Sequence, residues 1–368
     1  MRKSFPALIH LNLSWNLDNS SPRFPAIPQQ FLGRSAPSLR YLRLGCISFP
    51  RLSTLLLSAH NVVDLKLEEI PPNCYISPEA MVGSLSALTK LATLSISFHD
   101  ETTPPEQRGN HPDLPIRAIL PALIAFHYSG CNAYLEDFLA RIDTPRLDQL
   151  NLAYFVRTIR ALQLSRFIKR TGNLNAHRFK RAEVIFYNAD FCFKLDRPRG
   201  NSTQALLGLG IINQPYLEAQ VHSLTALLAE VALFSNVDQL YAHGKLVDTS
   251  EIYTSDWLPS FRLFPVVRAL RLSGGVAATI VSALEDTTED MVTDVFPELR
   301  LIWLVKREDE DEGPYDDPVG SIEHFLFLRE LAGRPVVVVN TEEEFDEAEK
   351  KLLGHHEHPV DGIPVGAL

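Results

Sequence analysis

Histidines near the C-terminus come closest to the spacing of a chemical site. His355, His356 and His358 fall close together, and three imidazoles are able to hold a metal ion. No helix with the HExxH spacing of a zinc site accompanies them. A histidine group in a terminal segment without such a helix is typical of a tail, so we predict no metal site.

The residue types that most often serve catalysis or cofactor binding are scattered. Neither a GxxxxGK[ST] phosphate loop nor a GxSxG nucleophile elbow is present, and Gly208 and Gly210 complete no dinucleotide-binding motif. No CxxC pair indicates zinc or a disulfide framework; the four cysteines are Cys46, Cys74, Cys131 and Cys192. A triad assembled from distant residues would leave no local motif, and that alternative stays open. We otherwise predict no enzyme and no cofactor.

The overall charge argues against nucleic acid as a partner. Lysine and arginine number 35 and aspartate and glutamate 45, so the net charge is -10 and phosphate backbones are repelled. The sequence contains no run of about 18 apolar residues, so no membrane span is predicted. The first residues lack the charged start and apolar block of a secretory signal, and the scattered cysteines fit a reducing compartment. We therefore predict a cytoplasmic or nuclear protein.

A short apolar motif recurs through most of the chain. Leu8, Leu11, Leu13 and Asn16 stand at the spacing L-x-x-L-x-L-x-x-N, and polar Asn12 separates two of the leucines. This alternation predicts a short strand with one face turned inward. Ten further copies follow at a mean step of about 29 residues. They begin at Leu39, Val62, Leu91, Leu123, Leu147, Phe179, Leu206, Val237, Val267 and Leu299.

Between these copies the apolar spacing becomes helical. Short amphipathic helices are predicted at 51–59, 78–90, 134–142, 162–170 and 224–234. Strand and helix alternating with this leucine spacing is the signature of a leucine-rich repeat. We therefore predict an α/β leucine-rich-repeat solenoid, a horseshoe with parallel strands on its concave face and helices on its convex face. A doubly wound sheet also alternates strands and helices, but it favours continuous Val/Ile strands and Gly-rich turns.

The chain divides into three predicted parts. Residues 1–319 form an array of about eleven irregular units, residues 320–354 a C-terminal capping unit, and residues 355–368 a flexible tail. The capping unit is predicted from a helix, a strand and a second helix, which together would cover the last apolar face. Polar segments at 100–113 and 195–204 are predicted to be loops, and the acidic run at 308–317 a solvated loop.

A partner would meet the side chains that lie between the leucines, because these point away from the core. Tyrosine, tryptophan and arginine dominate binding energy at interfaces, although each can also be an ordinary exposed residue. Trp303 is the strongest single candidate unless the capping unit covers it. The predicted partner-binding residues are Tyr41, Arg43, Lys66, His127, Arg181, Tyr241, Arg271 and Trp303.

One stretch carries a family resemblance. Residues 134–155 read YLEDFLARIDTPRLDQLNLAYF, and residues 164–171 read LSRFIKRT. They resemble the leucine-rich region of F-box proteins expanded in fungi, in which a YLEDLVARID-type helix leads into a P-x-L-x-x-L-x-I strand. The resemblance implies a substrate receptor of an SCF-type ubiquitin ligase, whose repeat array holds an unknown target protein and whose F-box binds Skp1.

The sequence departs from that family in one respect, since the F-box itself is absent. The first repeat begins within a few residues of Met1, where an LPxEIL-like helix would be expected. Either the chain is a fragment, which an uncovered apolar end favours, or it cannot join the ligase by that route. We expect Skp1 as a partner only if a missing N-terminal F-box exists. The alternative is a stand-alone binding scaffold of the same fold.

Overall fold

The computed structural model describes most of the chain. The described residues are 5–15, 24–50 (except 29), 52–99, 117–155, 161–196 (except 177 and 178), 206–244 (except 213, 215, 232, 233 and 235), 254–305 and 322–353. The predicted loop at 100–113, the acidic run at 308–317 and the histidine group at 355–358 lie outside them.

Most of the strands assemble into one long sheet. They are β1 (His10–Ser14), β2 (Tyr41–Gly45), β3 (Asp64–Ile70), β4 (Thr93–Phe98), β5 (Ala118–Ile119), β6 (Ala125–Gly130), β7 (Ile142–Asp143), β8 (Gln149–Phe155), β9 (Arg181–Phe186), β10 (Phe191–Asp196), β11 (Leu207–Ile212), β12 (Gln239–Gly244), β13 (Ala269–Gly274), β14 (Leu301–Val305) and β15 (Val337–Val339). Thirteen of them pair in the order β1-β2-β3-β4-β6-β8-β11-β10-β9-β12-β13-β14-β15, and β5 pairs separately with β7. The long sheet is mainly parallel, since only β10 runs antiparallel to its neighbours.

Helices fill most of the connections between successive strands. They are α1 (Leu52–Ser58), α2 (Pro78–Leu85), α3 (Asn132–Ala140), α4 (Leu162–Arg170), α5 (Gly172–Ala176), α6 (Leu217–Val231), α7 (Thr254–Phe261), α8 (Gly275–Glu285), α9 (Glu323–Leu331) and α10 (Glu342–Leu353). All five helices predicted from spacing are present; α4 has the predicted ends and the other four have shifted ends. Helices α5, α7 and α8 were not predicted.

The repeating leucines build the core, as the period of two predicts. Leu42, Leu65 and Leu94 lie side by side on adjacent strands and are fully buried. They belong to one apolar cluster that extends from Leu32 to Leu328 and includes the inner sides of the helices. The structure is therefore a mixed α/β fold in which each unit covers the apolar side of the next.

The order of the units departs from the prediction in the middle of the chain. We expected the strands at 179–186 (β9) and 206–212 (β11) to follow β8 in sequence order. Instead β11 lies next to β8, and β9 lies two places beyond β11. The reason is β10, which was predicted in part as a loop. The segment FCFKLD alternates apolar and polar residues, and the backbone N–H of Tyr187 donates to the Asp190 carbonyl at 2.7 Å, closing a turn. A three-stranded meander thus replaces simple repeats.

Carboxylates link neighbouring helices across units. Glu136 of α3 accepts hydrogen bonds from the backbone N–H groups of Gln163 and Leu164, at 2.7 and 2.9 Å, at the start of α4. Glu285 of α8 likewise accepts from the N–H groups of His324 and Phe325 at the start of α9. Each contact satisfies donors that a helix leaves unpaired at its N-terminus. Adjacent units are therefore coupled by polar contacts as well as by packing.

The C-terminal elements lie on both faces of the sheet. Helix α9 buries Phe325 and Leu328 in the main core, and β15 extends the sheet beside β14. Helix α10 begins with a capping box, since the Glu344 N–H donates to Thr341 Oγ1 at 3.2 Å and the Glu344 carboxylate accepts from the Asn340 N–H at 3.1 Å. It then packs on the sheet face opposite to the other helices. No helix among the described residues has the length and apolar character needed to cross a bilayer.

Candidate partner-binding surface

The face of the long sheet opposite to helices α1–α9 is called the open face. One row of positions crosses it on all thirteen strands in continuous register. This central row consists of Asn12, Arg43, Lys66, Ser95, His127, Asn151, Gly208, Lys194, Glu183, Tyr241, Arg271, Trp303 and Val339. The out-of-order strands keep the row intact, because the antiparallel meander returns residues of the same face to it.

The predicted site residues fall on this face. Six of the eight belong to the central row: Arg43, Lys66, His127, Tyr241, Arg271 and Trp303. Tyr41 and Arg181 lie in the adjacent row, at the first positions of β2 and β9. The structure thus brings the predicted residues onto one surface, but spreads them over its length rather than gathering them in one cluster.

Near β1 to β3 the open face carries exposed aromatic and charged groups. Tyr41 is 41% exposed and lies with its ring 5.5 Å from that of His10. Arg43 forms a two-point contact with Glu68, at 2.8 and 2.7 Å. Because these groups are in water, their mutual attraction is weak and a partner can exchange it for its own contacts.

Small side chains make a depression in the middle of the open face. A cleft of about 380 Å³ lies over β4, β6, β8 and β11, where serine, alanine and glycine occupy most of the outward positions. At its floor the Asn151 amide is 3.1 Å from Nδ1 of His127. Gly208 makes room for this amide, since a Cβ at that position would lie 2.5 Å from Asn151 Oδ1. Burial, together with the charge of Lys66, lowers the pKa of His127, which favours the neutral imidazole.

A charged cluster follows on β9, β10 and β12. Glu183 accepts a hydrogen bond from Lys194 at 2.9 Å and lies 3.3 Å from Nε2 of His243. The hydrogen bond from His243 and that from Lys194 outweigh burial and lower the pKa of Glu183 to about 2. His243 is stacked on Tyr241 with ring centres 4.7 Å apart. Lys194 was missed by the sequence analysis because β10 was not predicted; the alternating FCFKLD pattern was the available signal.

Arg271 and Trp303 lie side by side near the β15 end of the central row. The Arg271 guanidinium carbon lies 3.8 Å from the centre of the Trp303 ring and 4.7 Å from that of Tyr241. Only 4% of Trp303 is accessible, so its indole ring is not an exposed contact in this structure. Phe345 of α10 covers it, with ring centres 4.7 Å apart. The structure therefore matches the predicted alternative in which the capping unit covers Trp303.

A pocket of about 500 Å³ remains between α10 and the sheet. The sheet side contributes Arg181, Glu183, Lys194, Tyr241 and Arg271, and α10 contributes acidic residues and Phe345. Helix α10 therefore covers this end of the open face without filling it. In the described part of the chain, no group of three or more His, Cys, Asp and Glu residues is placed to hold a metal ion.

No family model matches the sequence, and no curated protein matches it. Among solved structures, the chain is similar to the leucine-rich repeat-containing protein LegL7 from Legionella pneumophila. The two share 13% identity, and the match covers 90% of this chain and 92% of that one with a TM-score of 0.32. A TM-score this low means that the two backbones differ widely, so the function has to be inferred from the surface itself.

Proposed function

We propose that this chain is a protein-interaction scaffold of the leucine-rich-repeat class, and that its partner binds the open face. The observation that carries the proposal is the central row, which presents side chains in unbroken register across thirteen strands. A long sheet with helices α1–α9 on one side and a mainly uncovered face on the other suits an extended protein surface better than a small molecule. In the horseshoe that we propose, the open face is the concave side.

The composition of the open face supports a protein partner. Exposed Tyr41 and Arg43 at one end are of the types that dominate protein interfaces. The acidic net charge of -10 argues against nucleic acid, because phosphate backbones are repelled. A small-molecule enzyme would need converging catalytic groups in a deep pocket. His127 contacts an amide, and His243 contacts a carboxylate already bonded to Lys194, so neither is paired with a nucleophile.

A finer proposal follows from the sequence resemblance. We propose that the chain is the substrate-recognition part of an F-box protein in a ubiquitin ligase, acting in the cytoplasm or nucleus. What supports this is the segment at 134–155, which spans α3, β7 and β8 in the helix-to-strand order that the resemblance implies. The alternative is a stand-alone binding scaffold with no ligase link.

Site-specific photo-cross-linking tests the scaffold proposal. A benzoylphenylalanine at Tyr41 places the cross-linker on the open face, and one at Leu57 of α1 is the matched control, since both side chains are exposed, by 41% and 57%. We expect a discrete protein cross-linked from position 41 and not from position 57 in a native extract. Equal cross-linking from positions 41 and 57 would contradict the scaffold proposal.

Recovery of Skp1 separates the two finer alternatives. The F-box proposal predicts that Skp1 is recovered together with the longest transcript that contains this chain. Recovery of the position-41 partner without Skp1 would favour the stand-alone scaffold.

A further inference from the structure

Helix α10 packs on the open face through few contacts, as a bound helical peptide would. Its contacts with the sheet come mainly from Phe345 and Ala348, which pack on Trp303, Ala269 and Leu301. The Gln239 side chain adds a hydrogen bond to Glu349. Most other side chains of α10 are exposed. The helix is therefore held by one aromatic anchor and a few neighbours.

Two buried donors beside this anchor have no acceptor. Nε of Arg271 and Nε1 of Trp303 are shielded from solvent, and neither finds a hydrogen-bond partner among the described residues. An N–H group that is buried without an acceptor loses the hydrogen bond that water would otherwise provide, and this loss costs free energy. The pocket of about 500 Å³ next to them is also left unfilled. Helix α10 is thus an incomplete match for the surface that it covers.

The charges on the two sides of the pocket indicate what would match better. On the sheet side Glu183 is bonded to Lys194, which leaves Arg181 and Arg271 against the single carboxyl of Asp196. Helix α10 carries six acidic residues and two lysines. Attraction between an acidic helix and this end of the sheet adds to the aromatic contact.

We propose that this end of the open face is a helix-binding site, that α10 occupies it in cis, and that the partner is an acidic amphipathic helix with an aromatic anchor. The partner's aromatic residue would replace Phe345 on Trp303, and its carboxylate or carbonyl oxygens would accept from Arg271 and Trp303. The proposal rests on the proposed function, since it assigns a partner class to the same face. It makes binding at this end of the open face, but not at the end that carries Tyr41, conditional on displacement of α10.

A peptide with the sequence of residues 341–353 is the probe. Full chains are compared by fluorescence anisotropy of the labelled peptide: the wild type, in which α10 occupies the site, and Phe345→Ala, in which the anchor is removed. A tethered helix competes at an effective concentration of about a millimolar, so we expect the peptide to bind the Phe345→Ala chain at least about tenfold more tightly. Equal affinity for the two chains, or no binding to a folded Phe345→Ala chain, would overturn the proposal.

Two altered peptides test the chemistry of recognition. A peptide carrying Ala in place of Phe345 is expected to lose binding, and one with Asp346→Asn and Glu349→Gln to bind more weakly. Unchanged affinity of the first would refute the aromatic anchor, and unchanged affinity of the second would refute the acidic character. If Phe345→Ala does not fold, Ala348→Asp serves instead, because it places a charge against the apolar cluster that includes Trp303.

Hydrogen exchange on the wild type gives an independent result. If α10 detaches locally, its amides exchange faster than those of α8, which lies in the main core. Protection of α10 equal to that of α8 would contradict a displaceable helix. Failure of the peptide experiments while position 41 still cross-links a partner would remove only this inference and leave the scaffold proposal in place.

Discussion

Arg271 lies with its guanidinium carbon 3.8 Å from the centre of the Trp303 ring, on adjacent strands of the open face. The pair links two features of the account. It lies in the central row, and it forms part of the surface on which the C-terminal helix packs. Both residues were predicted to contact a partner, and the burial of Trp303 under Phe345 gives it a role in stability as well.

Trp303→Ala tests the structural role of this pair. Because Trp303 is buried between Arg271 and Phe345, we expect the substitution to lower the free energy of unfolding by about 3 kcal/mol. Arg271→Ala removes only a partly exposed stacking contact, and we expect a loss of about 1 kcal/mol. Denaturant unfolding of both variants measures this difference. Equal small losses for both would mean that Trp303 is not covered by α10.

The Glu183 cluster predicts a dependence of stability on acid pH. The pKa of Glu183 is lowered to about 2 from an ordinary value of 4.5. Its contribution is therefore present above pH 4.5 and is lost as the pH falls toward 2. A shift of this size corresponds to at most about 3 kcal/mol. Unfolding measured from pH 5 to pH 2 should show a smaller loss for Glu183→Gln than for wild type, and parallel curves would contradict the cluster.

Gly208→Ala probes the depression in the open face. The new Cβ would overlap the Asn151 amide, so we expect a loss of about 1 kcal/mol and rupture of the contact with His127. Asn151→Ala should remove most of this penalty in a double-mutant cycle. Gly83→Ala is the matched control, because beyond the backbone of α2 itself no atom lies within 4 Å of its Cβ position, and a gain of up to about 1 kcal/mol is expected there. Additive effects of the two site substitutions would show that Gly208 and Asn151 do not touch.

Cross-linking by engineered cysteines tests the order of the strands. Asn151 and Gly208 are register partners on β8 and β11, so cysteines at these positions should form a disulfide. Cysteines at Asn151 and Glu183 are separated by two intervening strands, about 14 Å at the usual strand spacing, and should not. The simple repeat order would predict the opposite pattern.

The sequence predicted the regular part of this fold well because each leucine position follows from one physical rule. Leu42, Leu65 and Leu94 are buried as the alternation requires. The meander could not be placed from spacing, because which strand lies next to β8 depends on pairing between distant segments. Tertiary contact, rather than local pattern, decides that β11 takes this place.

The candidate site was predicted in part for a related reason. Alternation identifies which side chains leave the core, so residues such as Arg43 and Lys66 were placed on the correct face. Alternation does not show which distant segment packs on that face. Phe345 covers Trp303 because α10 packs back on the sheet. The apolar spacing within the strands does not predict this long-range contact.

The affinity of the partner cross-linked from position 41 tests the central claim most directly. Isothermal titration would compare the wild-type chain with Tyr41→Ala/Arg43→Ala on the open face and with Leu57→Ala on α1. The account predicts a loss of at least about tenfold for the open-face variant and no change for the helix-side variant. Unchanged affinity of the open-face variant, with the chain still folded, would contradict the assignment of this face as the binding surface.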